Sequence, residues 1–309
     1  MADSEDELPP PGPVSRPALP IELERAIFEL AAHMRSNSIP TFMLVAWRVK
    51  KWMDPLLFQT IVVRIRKELD IKDHPTFQCS TLLPIIQSES FRFPGESVRN
   101  LFISWWSPQK DEVLAILSAC PSVQNLSLAP VAPGALFHLV EHLPLRELYC
   151  HVGHLFGPQR QIDFTHQLFA KITHLEVYDA SEDVSSEPER WKQLSLIPHL
   201  THLGLNNAGL IDAWLALLRT CKSLRVLVVL DPGGPPLLRT VIDEHRDRGE
   251  LVKDARLVLV DPGELSSLDW RNGAHRGIDF WSRAEDFIAK RRSGEINALR
   301  YYDQEPDGI

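Results

Sequence analysis

The fold is decided by the stretch Leu200-Thr201-His202-Leu203-Gly204-Leu205, in which apolar residues occupy the first, fourth and sixth places. Its final Leu-x-Leu step alternates with a period of two, which is typical of a short strand with one buried face. The same spacing returns around five other central leucines: Leu101, Leu126, Leu148, Leu175 and Leu227. With Leu203 included, successive central leucines are 25, 22, 27, 28 and 24 residues apart. One such strand cannot bury its face alone, so the period predicts a stacked solenoid of similar units.

Two copies of the pattern match closely enough to compare residue by residue. The stretch 117–128 aligns with the stretch 218–229, and Cys120 and Cys221 occupy equivalent places in them. This Cys-x-x-apolar-x-x-Leu-x-apolar form resembles the cysteine-containing class of leucine-rich repeats. That class often follows an F-box in one chain. The expected fold class is therefore α/β, with strands on one side of the solenoid and candidate helices at 109–119, 134–143, 161–170, 188–197, 211–221 and 236–248.

Composition and charge exclude several classes of function. The net charge is −8 over 309 residues, whereas nucleic-acid binding needs a clustered positive field, so we expect no nucleic-acid partner. The four cysteines form no C-x-x-C pair, which favours buried core thiols over a disulfide framework or a zinc site. The acidic start and the lack of a long apolar run predict neither a signal peptide nor a membrane span. We therefore expect a cytoplasmic or nuclear protein that needs no cofactor.

The N-terminal region has helical periodicity. Pro20 suits the first turn of a helix, and Leu23, Ile27, Leu30 and Met34 then follow at helical spacing. A second helix is indicated by the next apolar stripe, from Phe42 to Trp52. The segment 60–64 is rich in β-branched residues and predicts a strand.

This region resembles an F-box. The resemblance rests on Leu19-Pro20-x-Glu22-Leu23-x-x-x-Ile27-Phe28, on Leu44-Val45 and on Pro55-Leu56-Leu57-Phe58. It is most similar to the F-box-like heads of large fungal families whose bodies are degenerate leucine-rich repeats. The resemblance implies a non-enzymatic subunit of a cullin–RING (SCF-type) ubiquitin ligase, whose head binds a Skp-type adaptor and whose repeats bind a target protein. The adaptor-binding residues it implies are Leu19, Pro20, Leu23, Ile27, Phe28, Val45, Leu56 and Phe58.

The chain is accordingly expected to have five segments. These are a disordered leader at 1–17, an F-box-like helical domain at 18–60, a connecting segment at 61–96, the repeat solenoid at 97–263, and a C-terminal cap helix and tail at 264–309. The apolar stripe Trp281, Ala284, Phe287 and Ile288 predicts that the cap helix covers the last repeat. An alternative for residues 19–58 is a plain helical cap on the first repeat.

The residues between the core positions of the repeat strands point to the opposite, concave side. Their polar and aromatic character suits the recognition of a target protein. The predicted target-binding residues are Asn125, Ser127, Glu147, Tyr149, His174, Glu176, Tyr178, His202, Asn206, Val226 and Val228. The alternatives are an ordinary solvated sheet face, or a face whose apolar end is covered by the C-terminal helix.

Two further hypotheses about function stay open. The chain could be a repeat scaffold for protein binding with no link to a ligase. It could also be a zinc hydrolase, because His138-Leu139-Val140-Glu141-His142 matches the H-x-x-E-H pattern. On one helix face His138 and His142 could bind zinc, and Glu141 could activate water. The leading hypothesis has no catalytic residue and no metal site.

Overall fold

A computed structural model gives the fold of most of the chain. It describes residues 19–63, 76–90, 92–104, 109–178, 192–206, 211–230, 254–260, 266–298 and 300–301. The leader at 1–17 and the expected helix at 236–248 lie outside the described residues.

The described residues contain a parallel sheet of nine strands in an α/β arrangement. The strands are β1 (Thr60–Val63), β2 (Thr76–Phe77), β3 (Asn100–Ile103), β4 (Asn125–Leu128), β5 (Glu147–Cys150), β6 (His174–Val177), β7 (His202–Leu205), β8 (Val226–Leu230) and β9 (Leu257–Val260). Their order is β2-β1-β3-β4-β5-β6-β7-β8-β9, so from β3 onward each strand pairs with the next one along the chain. The sheet starts with β1 and β2, before the first predicted repeat strand.

The central leucines form one row across the sheet. Leu101 pairs with Leu126, and the register continues through Leu148, Leu175, Leu203 and Leu227. All six are fully buried in one apolar core. Cys120 and Cys221 lie in the same core, all four cysteines are buried, and no disulfide joins them. The strands predicted around the six central leucines and the burial of these cysteines are therefore confirmed.

The helices agree with the expected positions less well. They are α1 (Ile21–Met34), α2 (Ile39–Phe42), α3 (Trp47–Leu57), α4 (Cys79–Ile86), α5 (Lys110–Ala119), α6 (Phe137–Val140), α7 (Val152–Phe156), α8 (Ile211–Thr220), α9 (Ser266–Arg276) and α10 (Phe280–Ser293). The helices expected at 109–119 and 211–221 are present as α5 and α8. The helix expected at 134–143 shortens to α6, and α7 was not expected.

The prediction of a helix at 161–170 is wrong. Another helix was predicted at 188–197, and the described part of that segment contains a short 3₁₀ turn, Gln193–Leu196. In the first case the described structure is an irregular loop ending in the 3₁₀ turn Gln167–Phe169. The Asp163 carboxylate accepts hydrogen bonds from the Thr165 backbone N–H at 2.8 Å and from its hydroxyl at 2.6 Å. Such local side-chain bonds give the backbone an alternative to the helix.

The first three helices form a small unit with its own core. Ala32, Ile39, Val49 and Met53 are buried there. The Arg48 guanidinium donates to the Glu24 carboxylate at 2.8 and 2.9 Å, which ties the start of α3 to the first turn of α1. No helix among the described residues has both the length and the apolar character needed to cross a membrane.

The last two helices, α9 and α10, lie on the sheet face opposite the leucine row, and we call them the cover helices. Trp270 of α9 packs on Phe102 of β3, with ring centroids 5.4 Å apart. Aromatic and aliphatic side chains of α10 continue this second core as far as Val258 and Val260 of β9. The expectation that the C-terminal helix covers the last repeat is too narrow, because the two helices reach from β3 to β9.

Candidate functional site

An exposed apolar stripe runs along α1. Leu23, Ile27, Leu30 and Met34 recur at steps of four, three and four residues, which places them on one helix face. Their exposed fractions are 54%, 55%, 62% and 72%. Other residues of α1, such as Phe28 and Ala32, pack in the small helical core. The helix therefore has apolar side chains on its outer face as well as on its inner one.

Three more exposed apolar residues lie where α3 begins. Leu44 and Val45 precede α3, and Trp47 is its first residue with 68% of its surface exposed. The ion pair of Arg48 with Glu24 brings this segment next to the first turn of α1. We call the combined surface the head stripe; it consists of Leu19, Leu23, Ile27, Leu30, Met34, Leu44, Val45 and Trp47.

The predicted adaptor-binding residues divide between the exposed surface of the first helices and their interior. Leu19, Pro20, Leu23, Ile27 and Val45 are exposed. Phe28, Leu56 and Phe58 are half-buried instead. The Phe28 ring meets Phe42 edge-on at 5.8 Å, Leu56 packs against the head core, and Phe58 meets Phe93 at 5.8 Å.

Four members of the head stripe were not among the predicted residues: Leu30, Met34, Leu44 and Trp47. The signal for Leu30 and Met34 was present, since they continue the helical spacing of Leu23 and Ile27.

The predicted target-binding residues lie together on the second face of the sheet. Register places Asn125, Glu147, His174, His202 and Val226 in a first row. A second row holds Ser127, Tyr149, Glu176, Gly204 and Val228. Tyr178 and Asn206 directly follow β6 and β7.

The expected open surface is not what the structure has, because the cover helices lie across these rows. Ser127, Tyr149, Val226 and Val228 are almost fully buried. Tyr149, Val226 and Val228 belong to the second core, together with Trp270, Trp281 and Phe287. The apolar members of the rows, which we interpreted as part of a recognition face, pair with the apolar stripe of α10. Their role in target binding stays a prediction.

Two indole hydrogen bonds fix the cover helices to polar residues of the sheet. Trp270 Nε1 donates to Asn125 Oδ1 at 2.8 Å, and Trp281 Nε1 donates to the Tyr149 hydroxyl at 2.9 Å. Gly204 provides the space for the second indole, because a Cβ atom at this position would lie 3.0 Å from Trp281 Cη2. Buried indole N–H groups normally need such partners, so these contacts are specific.

One buried carboxyl group, Glu176, and two half-buried ones, Glu147 and Asp279, lie under this cover. Burial and then the charge of Asp279 raise the pKa of Glu147 to about 7, although Tyr149 donates a hydrogen bond to it. Burial and then the charge of Asp269 raise the pKa of Glu176 to about 8. Burial also raises the pKa of Asp279, the N-cap of α10, against the hydrogen bonds from Ser282. Near neutral pH these groups therefore hold protons more than ordinary surface carboxyls do.

Two histidines stack beside the carboxyl groups. The rings of His174 and His202 lie 4.0 Å apart and nearly parallel. Each Nδ1 lies within hydrogen-bond distance of the preceding threonine hydroxyl, at 2.9 Å from Thr173 and 2.8 Å from Thr201. Burial lowers the pKa of His174 to about 3 and that of His202 to about 4, so both rings are neutral at pH 7.

A groove of about 310 Å³ opens where the first row meets the cover helices, and we call it the rim groove. Its sheet side is lined by Asn100, Asn125, Glu147, His174 and His202. Its helix side includes Asp279, Trp281, Ser282 and Glu285. Asn100, Asp279 and Glu285 were not predicted as site residues. Asn100 pairs with Asn125 in register and precedes a central leucine in the same way, so the repeat alignment contained that signal.

The H-x-x-E-H stretch has a different geometry from the one expected. Helix α6 ends at Val140, so His138 lies in the helix and His142 in the turn after it. Glu141 approaches His166 Nε2 at 3.5 Å. Within the described ranges, no three His, Cys, Asp or Glu side chains are grouped so that they could hold a metal ion.

Comparison with known proteins leaves the family open. No protein-family model matches the chain, and no curated protein matches it closely enough to count as a relative.

Proposed function

We propose that this chain is a leucine-rich-repeat solenoid with an F-box-like head, and that it recruits a target protein to a cullin–RING ubiquitin ligase. The head stripe would bind a Skp-type adaptor, and the repeat body would hold the target. The protein itself would be non-enzymatic. Its contribution would be to raise the effective concentration of the target near the catalytic partners of the ligase.

The head stripe is the observation that carries this proposal. A surface helix normally turns its apolar stripe toward the core and its polar residues toward water. Helix α1 keeps Leu23, Ile27, Leu30 and Met34 on the outside while Phe28 and Ala32 pack inside. A contiguous exposed apolar patch of this kind is typical of a protein–protein interaction site.

The order and register of the strands support the repeat part of the proposal. Strands β3 to β8 follow one another in the chain and in the sheet, and each presents a central leucine in the same row. Each unit therefore contacts mainly its neighbours, which is the arrangement expected of stacked repeats.

Co-purification with an adaptor tests the proposal. The chain is co-expressed with a Skp-type adaptor and separated by size-exclusion chromatography. We expect the wild type to co-elute, and Leu23→Asp and Ile27→Asp to lose the adaptor because each places a charge in a desolvated apolar interface. The matched control is Arg25→Asp, which adds the same side chain on another side of α1, where 57% of the native side chain is exposed.

The outcome decides between two hypotheses. If the folded wild-type chain does not co-elute, or if all three variants co-elute equally, the head stripe does not bind that adaptor. The alternative of a repeat-based binding scaffold without a ligase link would then be favoured.

A further inference from the structure

Hydrogen-bond donors and acceptors are unequally available around the rim groove. Its donor groups already have partners within the protein. Asn100 Nδ2 donates to Thr60 Oγ1 at 2.9 Å, Asn125 Nδ2 to Glu147 Oε2 at 2.8 Å, and Trp281 Nε1 to Tyr149. The Ser282 hydroxyl donates to the Asp279 carbonyl oxygen at 2.9 Å.

The groups that still have capacity are acceptors. Asn100 Oδ1 makes no hydrogen bond among the described residues, and Glu147 uses one of its two carboxylate oxygens. His174 is held through Nδ1 by Thr173, and its Nε2 has no hydrogen bond within the described part of the chain. Because that ring is neutral, Nε2 accepts whenever Nδ1 carries the proton. The groove therefore suits a ligand that donates hydrogen bonds and accepts few.

The charges favour the same kind of ligand. Carboxyl groups enter the groove from both sides, Glu147 from β5 and Asp279 and Glu285 from α10. The charge of Asp279 disfavours ionisation of Glu147, so the two groups repel each other, and the Arg283 guanidinium offsets only part of the Asp279 charge. The nearby Arg225 guanidinium pairs with Glu285 at 3.2 Å, and His202 Nε2 lies 3.2 Å from the same oxygen. A cationic donor placed between Glu147 and Asp279 would relieve the repulsion.

The size of the groove restricts the ligand further. A volume of about 310 Å³ is at the small end of ligand sites, so it holds one side chain but no helix or folded domain. Of the cationic side chains, arginine presents five donors, no acceptor and a planar fork that can engage two carboxylates.

We infer that the rim groove binds the guanidinium group of an arginine side chain in an extended segment of the target protein. This inference rests on the proposed function for the identity of the partner. It moves target recognition from the covered strand face to the edge where the strands begin. The arginine would donate to Glu147 and Asp279, and His174 and Asn100 would accept from its remaining N–H groups.

Peptide binding to the purified full chain tests the inference. The probe is fluorescently labelled Gly-Gly-Arg-Gly-Gly, measured by anisotropy, and the comparison peptide carries citrulline, which is neutral and nearly isosteric with arginine. We expect saturable binding of the arginine peptide and at least about tenfold weaker binding of the citrulline peptide, as for a lost charged hydrogen bond. N-acetyl-arginine amide should compete more weakly than the unlabelled pentapeptide.

Variants locate the site. Glu147→Gln and Asp279→Asn should each weaken binding about tenfold, and asparagine at 279 can still cap α10. The matched control is Asp286→Asn, on the same helix but outside the groove, with 64% of its side chain exposed. Thermal unfolding of each variant checks that it is folded. If one of the two groove variants fails to fold, the other carries the test.

Three results would overturn the inference: no saturable binding of the arginine peptide, equal binding of the citrulline peptide, or equal effects of the groove variants and Asp286→Asn. If N-acetyl-arginine amide competes as well as the pentapeptide, the groove does not recognise the extended segment around the arginine, and that part of the inference is wrong. Leu23→Asp should bind the peptide like the wild type. The peptide-binding assay therefore tests the rim groove independently of the co-elution assay that tests adaptor binding.

Discussion

Gly204 lies directly under the indole of Trp281, so these two residues give a sensitive test of how α10 sits on the sheet. A Cβ atom at position 204 would lie 3.0 Å from Trp281 Cη2 and 3.1 Å from Glu176 Cγ. Favourable contacts between carbon atoms have separations of about 3.5–4.0 Å. We therefore predict that Gly204→Ala destabilises the protein, and that Trp281→Leu removes most of this penalty because leucine has no atom at the Cη2 position.

The expected size follows from two opposing effects. Overpacking of a filled core costs about 1–3 kcal/mol. Replacing glycine by alanine in an unstrained strand stabilises by about 0.4–1 kcal/mol, because the unfolded chain loses conformational freedom. With mid-range values of about 2 and 0.7 kcal/mol, Gly204→Ala should lower the free energy of unfolding by about 1.3 kcal/mol in the wild type. In the Trp281→Leu background the remaining close contact with Glu176 Cγ offsets the smaller gain from the unfolded chain, so the effect should fall within about 0.5 kcal/mol of zero.

The assay is urea unfolding of the four proteins in this double-mutant cycle, followed by far-ultraviolet circular dichroism. The coupling energy between the two positions should be about 1–2 kcal/mol. An equal effect of Gly204→Ala in both backgrounds would refute the contact and, with it, the placement of α10 over β7.

Two other predictions concern buried titratable groups. Because the pKa of Glu176 is raised from 4.5 to about 8, its protonated form is favoured in the folded protein, and stability should fall as pH rises from 4.5 through 8. Since all other groups are the same in both proteins, unfolding free energies between pH 6.5 and 8 should fall less steeply for Glu176→Gln than for the wild type. Parallel curves would contradict this. Burial raises the pKa of Cys120 to about 12, so its thiol should not react with a disulfide reagent at pH 8 until urea is added. The assay is mass spectrometry of the treated protein, and labelling of Cys120 in the folded state would contradict its burial.

The strand positions could be predicted because each copy of the pattern carries its own local signal. Leu203 and Leu205 alternate with polar or small residues, and this alternation alone identifies the buried face. The loop around Asp163 could not be separated from a helix by apolar spacing, because the competing bonds to Thr165 involve polar atoms. These local side-chain hydrogen bonds favour a loop over a helix in that segment.

The cover over the second face could not be predicted in full for a different reason. Trp281 and Tyr149 are 132 residues apart, and Trp270 and Asn125 are 145 apart. The amphipathic stripe of α10 shows that the helix buries one face, but not which strands receive it. The sequence did contain a partial indication that this face is covered. It carries the apolar or aromatic residues Phe102, Tyr149 and Val228, which would be exposed to water on an open recognition face. The rim groove depends on the same long-range contact, which explains why Asp279 and Glu285 were not predicted.

Hydrogen–deuterium exchange of the chain with and without a Skp-type adaptor tests the central claim most directly. Contact with the head stripe should slow amide exchange in α1 and in the segment 43–47, and leave α10 unchanged. Leu23→Asp should abolish the protection, and Arg25→Asp should retain it. Protection that appears elsewhere in the chain, or that persists in Leu23→Asp, would contradict the assignment of the head stripe as the adaptor-binding surface.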